Sequence, residues 1–212
     1  MARREGSIYY QNIKEFDFDK TCNFLAREGI SLASKRKLHK GKILALDDEG
    51  EDYEISYEQV KEKVLNSDCI TMNTWLNEQE QIFLTFRSQE GYFIIDFYVG
   101  FLSQAGRDKV SKMFFKFFLN EINFTPQSLL GMFIDKNGHT YDYDFAPVFF
   151  TDSEEVDYVT DLICLPKEKL GLILMEPGFS MKELNNGFVC ASRYPDFLDY
   201  LMSDYPSNKP SQ

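Results

Sequence analysis

Hydrophobic and polar positions alternate with a period of two along several stretches of this chain, which is the pattern of half-buried β-strands. The segment 92–99 shows the pattern clearly, because Phe93, Ile95 and Phe97 fall on one face. Alternation and short apolar runs together predict strands at residues 7–13, 43–46, 69–75, 81–87, 92–99, 131–134, 140–145, 162–165, 170–175 and 188–191.

Other segments repeat apolar residues with a helical period. Asp17 or Asp19 is placed to cap the first helix, and Gly29 suits its left-handed end. Ser56 and Gln59 form a candidate capping box for the second helix. The sequence therefore predicts helices that end near residue 28, span 57–66, span about 105–121, and lie within 194–205, where Pro195 opens the helix.

Short connections favour hairpins between neighbouring strands. Residues 88–91 connect two predicted strands, and Asn137-Gly138 lies between the predicted strands at 131–134 and 140–145. Strands outnumber helices, so we expect an α+β fold with a mainly antiparallel sheet, with hairpins, packed by about four helices. We expect one domain over residues 1–205, with a candidate subdomain seam near 123–128, and a polar C-terminal tail at 206–212.

Composition agrees with a globular protein, since 43% of residues are hydrophobic and Phe alone occurs 20 times. The chain has 23 Lys+Arg and 34 Asp+Glu, a formal net charge of −11. Most of this acidity lies in residues 51–100 and 151–212. Nucleic acids and anionic membranes both attract clustered basic residues, so we expect neither as a partner. A basic protein partner fits the charge, although acidity alone also serves solubility.

The cysteines and the apolar runs bear on location. Cys22, Cys69, Cys164 and Cys190 form no CxxC pair and have no neighbouring histidine, so we expect a reduced, intracellular protein without a zinc site. No apolar stretch of signal-peptide type follows the N-terminal residues, and the run at 92–102 is too short for a membrane span. The predicted location is cytoplasmic.

Familiar catalytic motifs are absent from the sequence. It contains no GxSxG, GxxxxGK[ST], GxGxxG or HExxH motif, and only two histidines. We therefore expect a binding protein rather than an enzyme, with no cofactor and no catalytic residues.

Two groups of carboxylates nevertheless suggest chemistry. Asp135, His139, Asp142 and Asp144 are the candidate metal ligands, and the alternative is an Asn-Gly hairpin with Asp142 and Asp144 facing solvent. Asp96 interrupts an apolar strand, where a buried carboxylate can act as an acid or base. The alternatives are that Asp96 lies on the outer face of the sheet or accepts hydrogen bonds from its neighbours.

Two further segments leave alternatives open. Phe114-Phe115-Lys116-Phe117-Phe118 is either a helix buried between layers or an exposed aromatic contact for a partner. Residues 35–42 contain five Lys/Arg, which either contact phosphate or neutralise the acidic run that follows.

Carboxylates interleaved with tyrosines form the candidate binding surface, because carboxylates steer a basic partner and tyrosines supply contact area. The predicted binding residues are Asp47, Asp48, Glu51, Asp52, Tyr53, Glu54, Tyr57, Glu154, Glu155, Asp157 and Tyr158. In general appearance the chain resembles the small acidic, aromatic-rich α+β proteins found among bacterial immunity proteins for polymorphic toxins.

These observations lead to one expected function and two alternatives. We expect an intracellular protein-binding module of the immunity type that occludes a basic toxin or enzyme domain. One alternative is a carboxylate-based hydrolase or transferase, including a metal-assisted form, at Asp135, Asp142 and Asp144. The other is a structural subunit of a larger assembly that is contacted through the Phe-rich helix.

Overall fold

The alternating apolar pattern produces a single large sheet in the computed structural model, which describes residues 3–99, 102–138, 145–150, 160–172 and 179–205. The strands are β1 (Arg3–Tyr10), β2 (Ile43–Leu46), β3 (Asp52–Ile55), β4 (Ile70–Trp75), β5 (Gln81–Gln89), β6 (Tyr92–Val99), β7 (Leu129–Ile134), β8 (Leu162–Pro166), β9 (Ser180–Glu183) and β10 (Phe188–Ser192). The α-helices are α1 (Phe18–Arg27), α2 (Tyr57–Leu65), α3 (Gln104–Phe124), α4 (Ala146–Phe150) and α5 (Pro195–Met202).

The ten strands follow the order β3-β2-β4-β5-β6-β1-β7-β8-β10-β9, and every pair between them is antiparallel. β1 lies inside the sheet, where Ser7 is opposite Asp96 of β6 and Phe133 of β7. The expected α+β class with a mainly antiparallel sheet is therefore confirmed.

The main core lies between one face of the sheet and helices α1, α2, α3 and α5. The ring of Phe114 in α3 stacks on Phe97 of β6 with centroids 4.0 Å apart. The four phenylalanines of α3 between residues 114 and 118 are at most 2% exposed, which confirms a buried helix and excludes an exposed aromatic contact there. On the other face, a smaller core forms where Phe149 of α4 stacks on Tyr9 at 4.2 Å.

Local capping follows the sequence signals. Asp17 caps α1 by accepting a hydrogen bond from the backbone N–H of Lys20 at 2.9 Å, and Gly29 ends that helix with φ of +87°. Ser56 and Gln59 form both hydrogen bonds of the capping box of α2.

The predicted hairpin around Asn137-Gly138 is wrong. β7 already has β1 on one side and β8 on the other at residues 132–134, so no edge remains there for a return strand. A turn does form, since the N–H of Gly138 donates to the carbonyl of Asp135 at 3.2 Å. The predicted return strand lies outside the described residues except for Phe145, which is buried beside α4.

Other predictions fail at the ends and edges of the sheet. The strand predicted at 170–175 is wrong where described, since residues 167–172 form a 3₁₀ helix. β1 ends at Tyr10 rather than continuing to residue 13. β3, β9 and α4 are not predicted by the sequence pattern. The predicted tail at 206–212 lies outside the described residues.

The cysteines differ from the expectation of four reduced thiols. Cys164 of β8 and Cys190 of β10 face each other in register and form a disulfide, so that expectation is wrong for this pair. Disulfides persist mainly in oxidising compartments, so the cysteines no longer argue for a cytoplasmic location. Cys22 is buried, as predicted, and burial raises the pKa of its thiol to about 12. None of the helices in the described residues is both long and apolar enough for a membrane span.

Candidate functional site

The first acidic block folds as the turn and second strand of the β2–β3 hairpin. We call residues 47–54 the acidic hairpin. Asp47 organises the turn, because its Oδ1 accepts hydrogen bonds from the backbone N–H of Glu49 at 3.0 Å and of Glu51 at 2.8 Å. Gly50 has φ of +85°, which a glycine adopts without a side-chain clash. Asp47 therefore has a structural role as well as a charge.

The acidic hairpin exposes six carboxylates, those of Asp47, Asp48, Glu49, Glu51, Asp52 and Glu54. Two have side-chain partners: Lys42 pairs with Glu54, and the Asn73 amide donates to Asp52. Within the described residues, no Lys or Arg nitrogen lies within 4.0 Å of the carboxylates of Asp48, Glu49 or Glu51. Three neighbouring negative charges thus remain available, and one of them, Glu49, was not among the predicted binding residues.

β3 is also an edge of the sheet. Within the described chain, β2 is its only paired neighbour. The N–H of Asp47 donates to the carbonyl of Glu51 at 3.0 Å, and hydrogen-bonded pairs alternate along an antiparallel ladder. The backbone groups of Tyr53 and Ile55 therefore face β2, while those of Asp52 and Glu54 point away from the sheet.

The two tyrosines predicted in this surface have different environments. Tyr53 is 36% exposed and lies on the same face of the hairpin as the buried Ile55. Tyr57 instead joins α2 to α1, because its hydroxyl donates to Asp19 at 2.7 Å and its ring lies 5.5 Å from that of Phe18. Burial and the Asp19 hydrogen bond raise the pKa of Tyr57 above its usual value. Tyr53 is thus the available contact, and Tyr57 supports helix packing.

The second predicted block is separate from the acidic hairpin where it can be placed. Glu154, Glu155, Asp157 and Tyr158 lie outside the described residues. Asp161, at the end of this block, directly precedes β8 and is buried. β8 is seven strand positions from β3, which is about 34 Å at the usual spacing between strands. Asp161 and the acidic hairpin therefore do not contact one ligand of small size.

A cavity of about 430 Å³ lies beside Asp161, between the ends of β7 and β8 and the start of α5. Its one described lysine, Lys136, is paired with Asp108 at 2.5 Å and lies 5.2 Å from the ring centre of Phe197. The cavity is in the half of the sheet opposite to β3.

The basic segment 35–42 makes contacts mostly away from the acidic hairpin. The Lys35 ammonium donates to the carbonyl of Leu76 at 2.8 Å, and Arg36 lies 4.8 Å from the ring centre of Trp75. Of this segment, only Lys42 pairs with a carboxylate of the acidic hairpin among the described residues. The interpretation of residues 35–42 as a local neutraliser therefore holds for one pair.

Asp96 is a buried structural carboxylate on the sheet face opposite the main helices. Its Oδ2 accepts a hydrogen bond from Nε of Arg87 at 2.6 Å, and Oδ1 accepts one from the Ser7 hydroxyl. Burial and the nearby Asp96 charge raise the pKa of Tyr9 above its usual value, so this phenol stays neutral. Of the alternatives for Asp96, acceptance of hydrogen bonds from its neighbours is confirmed, whereas a solvent-facing position is wrong, because Asp96 is buried on the face that carries the smaller core.

The metal candidates are only partly described. Asp135 is buried at the end of β7, where its backbone N–H donates to the carbonyl of Glu5 at 2.7 Å. His139, Asp142 and Asp144 lie outside the described residues. Among the residues that the structure describes, His, Cys, Asp and Glu nowhere form a group of three or more able to hold a metal ion.

The acidic hairpin is thus the part of the predicted site that the described structure places at an accessible edge with unpaired charge. Comparison with known proteins adds nothing to this geometry: no family model, curated protein or solved structure matches the chain.

Proposed function

We propose that this chain is a protein-binding module that engages a basic partner through the acidic hairpin. The observation that carries the proposal is the exposure of six carboxylates within eight residues at a sheet edge. Such a surface attracts a cationic protein over a distance and favours correct orientation on contact.

Three features support a binding role for these charges. Lys42 pairs with Glu54 and Asn73 donates to Asp52, while the carboxylates of Asp48, Glu49 and Glu51 have no such partner among the described residues. The turn is held by Asp47, so the carboxylates are presented on a defined backbone rather than on a flexible loop. Tyr53 adds an aromatic contact beside them, and tyrosine is enriched where binding energy concentrates.

The mode of action that fits is stoichiometric occlusion, as in an immunity-type protein. A basic toxin or enzyme domain commonly presents cationic side chains where it binds anionic substrate, and an acidic surface competes for those groups. That the protein acts inside a cell, and that its partner is a basic toxin or enzyme domain, are both parts of this proposal. So does the contribution of Glu154, Glu155, Asp157 and Tyr158.

A charge-reversal experiment tests the proposal. The double variant Asp48→Lys/Glu51→Lys changes two exposed carboxylates and leaves the capping side chain of Asp47 in place. Proteins captured from native lysate at low salt are purified, and their association with the wild type and the variant is measured across salt concentrations. We expect the variant to bind about tenfold more weakly, mainly through a slower association rate.

The matched control is Glu78→Lys/Glu168→Lys, which changes the net charge equally at two exposed sites elsewhere. This control should retain binding and most of its salt dependence. If both double variants lose binding equally, only the net charge matters and the acidic hairpin is not the site. If neither loses binding, the proposal is wrong.

A further inference from the structure

The free edge of β3 also indicates how a partner docks, an inference that rests on the proposed function. The backbone N–H and C=O groups of Asp52 and Glu54 point away from β2, and within the described residues no strand covers them. Four polar backbone groups are therefore presented in the spacing that an added antiparallel strand requires.

The side chains on this edge select the added strand. Asp52 and Glu54 are on the face that Asn73 also occupies, and Tyr53 is on the opposite, helix-covered face. Directly opposed side chains in an antiparallel pair interact, and opposite charges stabilise it. A strand beside β3 would thus place basic residues next to Asp52 and Glu54, and an apolar residue next to Tyr53.

The same charges argue against a second copy of this chain as the occupant. Pairing β3 with β3 of another copy would bring Asp52 and Glu54 close to their equivalents, and opposed like charges destabilise a strand pair. The charges therefore disfavour self-pairing at this edge and favour a basic segment of another protein.

We propose that β3 accepts an extended basic segment of the partner by antiparallel strand addition, with a basic-apolar-basic triplet opposite Asp52, Tyr53 and Glu54. Charge at the turn accelerates the approach, and backbone pairing at the edge fixes the register. The partner class is consequently narrower than any basic protein: it carries an exposed strand or loop with alternating basic and apolar residues.

The test compares two substitutions at one position. Glu54→Gln removes the charge but keeps the backbone N–H, whereas Glu54→Pro removes the charge and the outward N–H. Proline is tolerated on an edge strand where its nitrogen faces away from the neighbouring strand, so the β2–β3 pair should persist. The probe is a seven-residue peptide with Lys at odd positions and Val, Tyr and Val at even positions, capped at both ends.

Binding of this peptide is followed by NMR titration and by hydrogen exchange of individual amides. We expect the peptide to slow exchange at the amides of Asp52 and Glu54. Glu54→Gln should weaken binding by about threefold, and Glu54→Pro by at least about tenfold. A second peptide, methylated on the alternate backbone nitrogens that face β3, keeps every charge. It should bind the wild-type protein as weakly as the unmethylated peptide binds Glu54→Pro. This peptide control does not depend on how any variant folds.

Several outcomes would overturn strand addition. Equal binding by Glu54→Gln and Glu54→Pro, together with undiminished binding of the methylated peptide, would show that charge alone acts. If Asp48→Lys/Glu51→Lys still weakened partner binding in that case, the proposed function would survive without strand addition. Protection of the Asp52 and Glu54 amides that rises with protein concentration alone would identify a second copy as the occupant.

Discussion

At the scale of single residues, the clearest energetic feature is the buried pair of Asp96 and Arg87. The carboxylate is essentially inaccessible, with a side chain 1% exposed, while the guanidinium side chain is 24% exposed. A buried charge is tolerated only while its partners remain, so each member of the pair depends on the other. Ser7 adds a hydrogen bond to the same carboxylate from β1.

Removing one member of this pair should cost far more than changing both. Arg87→Met is expected to lower the free energy of unfolding by about 3 kcal/mol, because Asp96 is left buried without its cation. In the double variant Arg87→Met/Asp96→Asn the loss should be smaller, since the neutral amide can still accept the Ser7 hydrogen bond. Urea denaturation at neutral pH measures both. A double variant less stable than Arg87→Met would contradict this account.

At this scale the sequence pattern indicates the important residues more readily than it indicates their partners. Asp96 stood out because it interrupts an apolar strand, but Ser7 is 89 positions away in the chain and meets Asp96 only because β1 inserts beside β6. The run of acidic residues in the acidic hairpin is visible in the sequence and predicted a binding surface there. The structural role of Tyr57 is not visible in the sequence, because Asp19 reaches it from another helix.

At the scale of elements, the packing of α4 on β7 requires a glycine at position 131 of β7. A Cβ on Gly131 would lie 2.5 Å from the carbonyl oxygen of Cys164 and closer still to the ring of Phe149. The glycine thus lets the neighbouring backbone of β8 and the helix above approach β7 together.

Gly131→Ala should therefore destabilise the fold by about 3 kcal/mol through steric overlap with a backbone atom that cannot move freely. Gly91→Ala is the matched control, because Gly91 also has a positive φ but has no atom within 4 Å of the added Cβ. The control should cost about 1 kcal/mol, the backbone contribution alone. Thermal or urea unfolding compares them, and equal losses would show that the close approach is unimportant.

The pairing of β8 with β10 leads to a prediction on the cysteines. Unfolded without reductant, the chain should react with two equivalents of a thiol reagent, at Cys22 and Cys69, and with four after reduction. The disulfide joins residues 26 positions apart, so Cys164→Ala/Cys190→Ala should lower the free energy of unfolding by about 3 kcal/mol.

Cys69→Ser provides the control for that pair, because Cys69 is exposed and outside the disulfide, and it should leave stability unchanged. Four reactive thiols before reduction would show that Cys164 and Cys190 are not joined in solution.

The elements that sequence analysis missed share a physical cause. β3 and β9 lie at the two ends of the described sheet, and edge strands carry charged and polar residues where central strands carry apolar ones. Asp52–Ile55 therefore showed no strand pattern in the sequence, since only Ile55 is buried. The Asn137-Gly138 signal failed for a different reason: it is local, whereas the two neighbours of β7 come from distant parts of the chain.

At the scale of the whole molecule, β1 lies between two halves of the sheet. Each half is built from strands that follow one another in the sequence. β2 to β6 lie on one side of β1, and β7 to β10 on the other. The single-domain expectation for residues 1–205 stays a prediction, and this topology makes it testable, because loss of β1 would separate the halves.

The sole tryptophan, Trp75, is fully buried in β4 and so reports on the first half. Far-UV circular dichroism reports on all helices and strands. We expect the two signals to give the same urea midpoint, since coincident transitions are the signature of one cooperative unit. Separate midpoints would indicate two units and support a seam near 123–128.

The interior position of β1 also has a consequence during synthesis. This strand leaves the ribosome before both of its neighbours, which end at Val99 and Ile134, so its final place is complete only after more than a hundred further residues emerge. At typical elongation rates that delay is on the order of ten seconds. For that time Ile8, Tyr9 and Tyr10, all buried in the finished protein, have no sheet to enter. The nascent β1 segment is consequently a natural substrate for chaperones, and folding in the cell should depend on chaperones more than the size of the protein suggests.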